Sequence, residues 1–207
     1  MATKQPTPKF GLCLDWETSG ALWGGDSASI YQGLSFGAIV FNTEDFSVVE
    51  EVYVEVKFDA AKYQWTDGAA KIHGLTIEHL EEHGISQEDA AILLAELILK
   101  YWGPDGKVMF LGHNPGFDIR FTHQLMEVID IEFSVERKTK MGGWIPLHHV
   151  VLDTSAAGFI AFNLYKSDLL FKHLGFADRA DHNALQDARQ TLETCAVIRA
   201  IGMGLVG

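Results

Sequence analysis

The order in which hydrophobic periodicity changes along the chain constrains its fold more than any other feature. Three β-type runs come first and close together, and helical and strand patterns alternate only afterwards. Phe10 to Trp16 is a short apolar run that ends in acid, and Leu34 to Phe41 is a second run rich in β-formers, with a Gly/Ser loop between them. Val48, Val52, Val54 and Val56 keep period-two spacing broken by Glu50, Glu51 and Glu55, which predicts a third strand with one wet face at a sheet edge. Links this short favour an antiparallel meander.

From Ser86 the period becomes helical. Ser86 followed by Asp89 reads as a capped start, and Ile92, Leu93, Leu97 and Tyr101 then keep helical spacing up to Gly103. Lys107 to Gly112 reads as a buried strand, and Pro115 suits the first turn of a helix carrying Phe117, Phe121, Leu125 and Val128 on one face. Val150 to Asp153 is a further short strand, Lys166 to Leu174 an amphipathic helix stopped by Gly175, and Ala184 to Ile201 a long last helix. Three strands followed by this alternation predict an α/β chain: one mixed sheet of five strands, the first three antiparallel, flanked by helices. At 207 residues and 47% apolar composition the chain can bury one core without staples, so a single domain over 1–207 is expected, with 1–9 as a flexible N-terminal tail.

Charge narrows the partners. A net charge of −12, concentrated in the first hundred residues, argues against a partner held by long-range attraction to an anionic surface. Nucleic acid stays open, because bound divalent cations invert the local field of a carboxylate site. No run approaches the roughly 18 apolar residues that a membrane span needs. The stretch Met1 to Lys9 has no apolar core of a secretory signal, so a cytoplasmic location is expected. Cys13 and Cys195 then read as two reduced core residues.

Three segments carry candidate chemistry. Asp15-Trp16-Glu17 ends the first strand, where alternation aims both carboxylates at one face and Trp16 at the other. His113-Asn114-Pro115-Gly116-Phe117-Asp118 puts an acid in the first turn of the helix that follows a buried strand, and His182-Asn183-Ala184-Leu185-Gln186-Asp187 opens the last helix. Singly, each has a plainer explanation: a solvated strand end, an acid complementing a helix dipole, a capping histidine with a surface acid. Their joint occurrence, in this order at the ends of these elements, favours function.

LDWETSG, GHNPGFDIRF and DHNALQDARQT resemble the three exonuclease motifs of the DnaQ-like, or DEDD, superfamily of 3′-to-5′ exonucleases. IHGLT at 72–76 and LDT at 152–154 support the match, which spans nearly the whole chain. A histidine five residues before the last aspartate, with Asn183 where another subtype has tyrosine, resembles the DEDDh subtype. The resemblance implies a ribonuclease-H-like fold and a metal-dependent exonuclease that releases nucleoside 5′-monophosphates from single-stranded DNA or RNA 3′ ends. It also implies two Mg²⁺ or Mn²⁺ ions on Asp15, Glu17, Asp118 and Asp187, a ligand set whose hard oxygens suit such ions. Asp15 would bridge them, with Glu17 and Asp187 on the nucleophile side and Asp118 acting on the other ion through water. His182 would be the general base, since imidazoles titrate near neutral pH. Thr18, His73, Gly74 and Leu75 match positions that hold the terminal nucleotide, with Leu75 as a wedge, Phe117 as a stacking platform and Asn114 as a hydrogen-bonding group for sugar or phosphate.

Within the superfamily, the stretch from HNPGFD through PLHHVVLDT to HNALQDARQT is most similar to the ribonuclease T branch of dimeric RNA-trimming and single-strand DNA exonucleases, which would imply a homodimer. Ala21 departs from it, standing where that branch has a stacking aromatic. The loop Ala21 to Gln32 with Trp23, and the basic segment Arg137 to Trp144, are longer than a minimal member needs and could clamp a strand. An oligoribonuclease-like enzyme for short RNA and an inactive binding or scaffold module are the alternatives; the intact set of four acids and His182 disfavours the second.

Overall fold

A computed structural model describes residues 7–22, 25–129, 145–176 and 182–204. Its sheet has five strands in the order β3-β2-β1-β4-β5. β1 is Phe10–Thr18, β2 Gly33–Asn42 and β3 Val48–Glu55, and these pair antiparallel. β4, Met109–Gly112, runs parallel to β1, and β5, Leu152–Asp153, parallel to β4. The expected mixed sheet with an antiparallel meander first is therefore present. β2 is buried along nearly its whole length because both of its faces are covered, which explains a continuous apolar run without alternation.

The helices are α1 (Asp67–His73), α2 (Ile77–His83), α3 (Gln87–Trp102), α4 (Gly116–Met126), α5 (Thr154–Phe162), α6 (Ser167–His173) and α7 (Ala184–Gly202). α3 and α4 cover one face of the sheet. There Leu12, Leu14 and Trp16 of β1 and Phe36 of β2 meet Leu94 and Ile98 of α3 and Phe121 and Leu125 of α4 in the main core. α7 covers the other face with a smaller cluster around Cys13, Ile39, Phe41, Leu111, Ala188 and Leu192. A third cluster of Leu34, Phe58, Tyr63 and Leu80 seats the α1–α2 region.

Several local expectations need correction. α3 starts on Ser86 as expected, its hydroxyl accepting from the Asp89 amide at 3.0 Å, and of the periodic residues it buries Leu97 but leaves Ile92 and Leu93 exposed. The sheet takes the stripe Ala90, Ala91, Leu94, Ala95 and Ile98, because three alanines let the helix axis approach closely while Ile92 and Leu93 remain exposed. Val128 falls beyond the end of α4 and is exposed. β3 is at the edge as expected, yet its acids are not simply wet. Glu50 accepts from Lys100 Nζ and the Tyr101 hydroxyl of α3, both at 2.6 Å, and Glu51 pairs with Arg189 of α7. α1, α2 and α5 are helices where the periodicity signal is weak. Both cysteines are unbridged, with Cys13 buried as expected. Trp23 and the basic segment 137–144 lie outside the described residues. Among the described residues no helix is long and apolar enough to cross a membrane.

Candidate active site

The site forms where the parallel strands β1 and β4 end, the usual location for a ligand crevice in an α/β sheet. Strand alternation in β1 sends Trp16 into the main core at 4% exposure and turns Asp15 and Glu17 to the opposite face. The β1 backbone also fixes a third acid, Asp118 of α4. The Trp16 amide donates to Asp118 Oδ1 at 3.1 Å, the Trp16 indole N–H donates to Thr122 Oγ1 at 2.9 Å, and that hydroxyl donates to the Asp118 carbonyl at 2.7 Å. α4 is thereby clamped to β1 at the residue between the two first-motif acids.

α7 supplies the rest. Asn183, rather than His182, caps this helix, accepting from the Leu185 and Gln186 amides at 3.1 and 3.3 Å. His182 is left to point its Nδ1 at Asp187 Oδ2, 3.0 Å away. The start of α7 lies directly on the sheet at Gly37, the β2 residue paired with Asp15. A Cβ at Gly37 would stand 2.2 Å from the Leu185 Cα, so glycine is required for this approach.

Asp15, Glu17, Asn114, Phe117, Asp118, His182 and Asp187 line one pocket of about 200 Å³. His113, Ser167, Phe171 and Thr191 complete its wall. His113 is held on both ring nitrogens, by Thr154 Oγ1 at 3.0 Å and the Tyr165 carbonyl at 2.9 Å, and so ties the end of β4 to α5 and the start of α6. Asn114 adopts a left-handed conformation with φ 62°, and its amide donates to Asp153 Oδ1 at 3.1 Å. His73, Gly74 and Leu75 line a neighbouring pocket of about 230 Å³, which shares Glu17 and His182 with the first. Tyr53, Glu55 and His79 line it as well, and sequence reading passed over them. His79 and Tyr53 both engage Glu55, at 2.7 and 2.8 Å, and burial with this carboxylate pushes the Tyr53 hydroxyl up to about 12. Thr18, at the end of β1, lines neither pocket; its hydroxyl donates to the Gly20 carbonyl at 3.0 Å.

The electrostatics favour a cation. Glu17, Asp118 and Asp187 are only 9%, 3% and 5% exposed, and carboxylates are rarely buried so deeply without compensating charge. Burial raises the Asp118 carboxyl well above its ordinary range, and the Glu17 charge raises it further against the pull of the Trp16 amide. Donor atoms of Glu17, His182 and Asp187 all lie within 4.8 Å of one another, and the oxygens among them fit a hard divalent ion. Burial lowers the His73 imidazole, and the nearby His182 acts in the same direction. Its Nδ1 accepts from the Leu75 amide at 3.0 Å, which holds the 73–75 turn in place.

No protein-family model matches the sequence, and no curated protein does either. Solved structures do match. The zinc-bound form of E. coli exonuclease I in complex with single-stranded DNA superimposes with a TM-score of 0.70 at 19% identity, over 94% of this chain but 41% of that one. A 3′-exonuclease solved in recognition of the histone mRNA stem-loop gives 0.67 at 13% identity, over 97% and 84% of the two chains. The nuclease domain of 3′hExo, a DEDDh family member bound to rAMP, gives 0.64 at 12% identity, over 95% and 93%. The fold shared with these nucleases is ribonuclease-H-like, and the chain spans about two fifths of the exonuclease I chain it matches.

Proposed function

We propose that this chain is a single-domain DEDDh-type, DnaQ-like 3′-to-5′ exonuclease that removes nucleoside 5′-monophosphates from single-stranded DNA or RNA. The observation that carries this reading is the convergence of Asp15, Glu17, Asp118, His182 and Asp187 from three distant segments into one pocket at the end of β1. A binding module has no need of four carboxylates and an imidazole where it would receive a phosphodiester. A reducing cytoplasm suits the two unbridged thiols.

Two divalent ions held by Asp15, Glu17, Asp118 and Asp187 would neutralise the phosphate and acidify the attacking water. The chain's own groups do the rest. An ionised Asp187 can only accept from His182, so Nδ1 of that imidazole carries the proton and Nε2 the lone pair. Nε2 takes the proton of the water as its oxygen attacks phosphorus, the P–O3′ bond breaks with its electron pair going to the upstream O3′, which takes a proton from solvent, and the terminal nucleoside leaves with its 5′-phosphate. His73, Gly74 and Leu75 flank Glu17 and His182 on the side where that nucleoside is held, with Thr18 at the base of the same turn. Asn114 and Phe117 flank the pocket on the other side.

Product analysis on 3′- and 5′-labelled single-stranded DNA and RNA, with Mg²⁺, Mn²⁺ or EDTA, tests this. Stepwise EDTA-sensitive loss of mononucleotides from the 3′ end is expected, and His182→Ala should lower turnover far more than metal affinity. Absence of cleavage with every metal would leave the binding module as the better reading.

A further inference from the structure

We infer that the cleft at the end of the sheet opposite the carboxylates binds a small organic anion with an apolar body: Lys9 and Arg199 hold the charge, and Phe41, Phe46 and Met109 take the body. The inference goes beyond the nuclease reading and does not depend on it.

The cleft measures about 570 Å³, within the range of roughly 300–1,000 Å³ typical of ligand sites. It lies where β1 begins and β2 ends, beside the register pair Phe10 and Asn42. β1 separates it from Glu17, so at about 3.3 Å of rise per residue the two sites are roughly 25 Å apart. They share no lining residue.

Phe41 and Met109 are buried at the apolar floor of the cleft. Lys9 and Arg199 line it with a single acid, Glu44, which makes it locally cationic in a chain of net charge −12. The Lys9 ammonium lies over the Phe10 ring at 4.8 Å and makes no ion pair or hydrogen bond among the described residues. Arg199 gives one N–H to the Thr43 carbonyl at 2.8 Å and rests over the Phe46 ring at 5.2 Å. A guanidinium carries five N–H donors, so this bond leaves most of the fork for an anion.

The walls are fixed before a ligand arrives. The Thr43 amide donates to the Lys9 carbonyl at 3.1 Å and its hydroxyl to the Pro8 carbonyl at 2.5 Å, which ties the β2–β3 turn to the start of β1, while Arg199 ties the same turn to α7. Such preorganisation lowers the cost of binding. Phe46 closes the turn, its amide donating to the Asn42 carbonyl at 2.8 Å, in a left-handed conformation with φ 61°. Glycine adopts that conformation freely and a bulky residue rarely does, so the position holds an aromatic ring against the preference of its backbone. The ring stacks on Phe41, centroids 5.4 Å apart and planes 9° apart, and so continues the apolar floor up to the Arg199 guanidinium. An apolar body on these rings places an attached anion beside the two cations.

Backbone amide NMR titrations of the protein in EDTA with octanoate, octylammonium and 1-octanol test the assignment, since the three share one chain and differ in charge. Octanoate should give saturable shifts at Thr43, Glu44 and Phe46 and none at Asp15 to Glu17. It should bind about tenfold more tightly than octanol, the gain of a charge-assisted contact, and octylammonium should bind more weakly than both. Arg199→Gln should lower octanoate affinity to about that of octanol and leave octanol unchanged, whereas Glu44→Gln should raise octanoate affinity. Phe46→Gly should weaken octanoate and octanol together, about tenfold, while amides outside the cleft keep their shifts. If Phe46→Gly unfolds, the Arg199 and Glu44 variants still decide. Non-saturating shifts, equal affinity for octanoate and octylammonium, or an Arg199→Gln protein that binds octanoate as the wild type does would each overturn the site and leave the nuclease reading standing.

Discussion

The two faces of the sheet are built on different terms although they share the same strands. On the α3–α4 side, β1 contributes Leu12, Leu14 and Trp16 to a large apolar core. On the α7 side the same strand contributes Cys13 to a small cluster and then Asp15 and Glu17 to the pocket. One face carries most of the apolar burial that stabilises the fold, and the other buries acids held close together in place of apolar side chains. Stability and chemistry are thus separated by the side-chain alternation of a single strand. Perturbations of the two faces should separate in the same way.

The largest effect is expected on the α7 face. Asp187→Ala should lower the proposed nuclease activity by about 10³-fold or more, with thermal stability in EDTA unchanged or raised, since it removes a buried acid. A mutant that unfolds would show that the acid is structural and break the contrast. Ile98→Ala, fully buried in the core on the α3 side, should cost about 2–5 kcal/mol in denaturant titrations, and the activity per folded molecule should hold. Gly37→Ala sits at the boundary. Its methyl meets the backbone of α7, so both properties should suffer: about 1–3 kcal/mol of stability, and about 10²-fold in activity as Asp187 and His182 move away from Asp15. The smallest effect sharpens the comparison most. Asp118→Asn keeps an oxygen for the Trp16 amide while removing a charge that burial disfavours, so the metal-free protein should gain about 1 kcal/mol while losing activity.

The pH dependence of that gain has a defined sign. The Asp118 carboxyl is raised in the fold above its ordinary value of 3.8. Its contribution to stability is complete below the unfolded value and is lost as pH rises through the folded one. Melting temperatures in EDTA between about pH 4 and pH 8 should therefore decline less steeply in Asp118→Asn than in the wild type.

Elements with a strong period or a definite cap were legible in the sequence. β1, β2, β3, the Ser86 cap and the helix following Pro115 lie within a few residues of where pattern alone puts them. The three acid-bearing segments were legible for a related reason, because each stands at an element end that the pattern also marks. The elements missed are short or lack an apolar stripe. α1 and α2 run seven residues each, and their signal was capping alone: Thr66 and Thr76 accept from the Ala69 and His79 amides, and Gly74 closes α1 at φ 72°. α5 is apolar around much of its circumference, so it shows no period, and its start is marked only by Asp153, which accepts from the Ser155 amide. The buried stripe of α3 was not legible because alanines count little in a hydrophobicity pattern, yet they decide how closely a helix can lie on a sheet.

The hydrogen bond from the Trp16 amide to Asp118 bears on how far such a chain can drift in sequence and keep its site. The donor belongs to the main chain and is kept by any residue other than proline at position 16. The spacing between the acids of β1 and the acid of α4 is therefore set by backbone on one side and by a carboxylate oxygen on the other. Side chains that make no bond across this clamp can be exchanged more freely than Trp16 and Thr122, whose indole and hydroxyl add to it. The fold is shared with solved structures at 19% identity or less, so the scaffold that carries this bond tolerates replacement of most of its side chains.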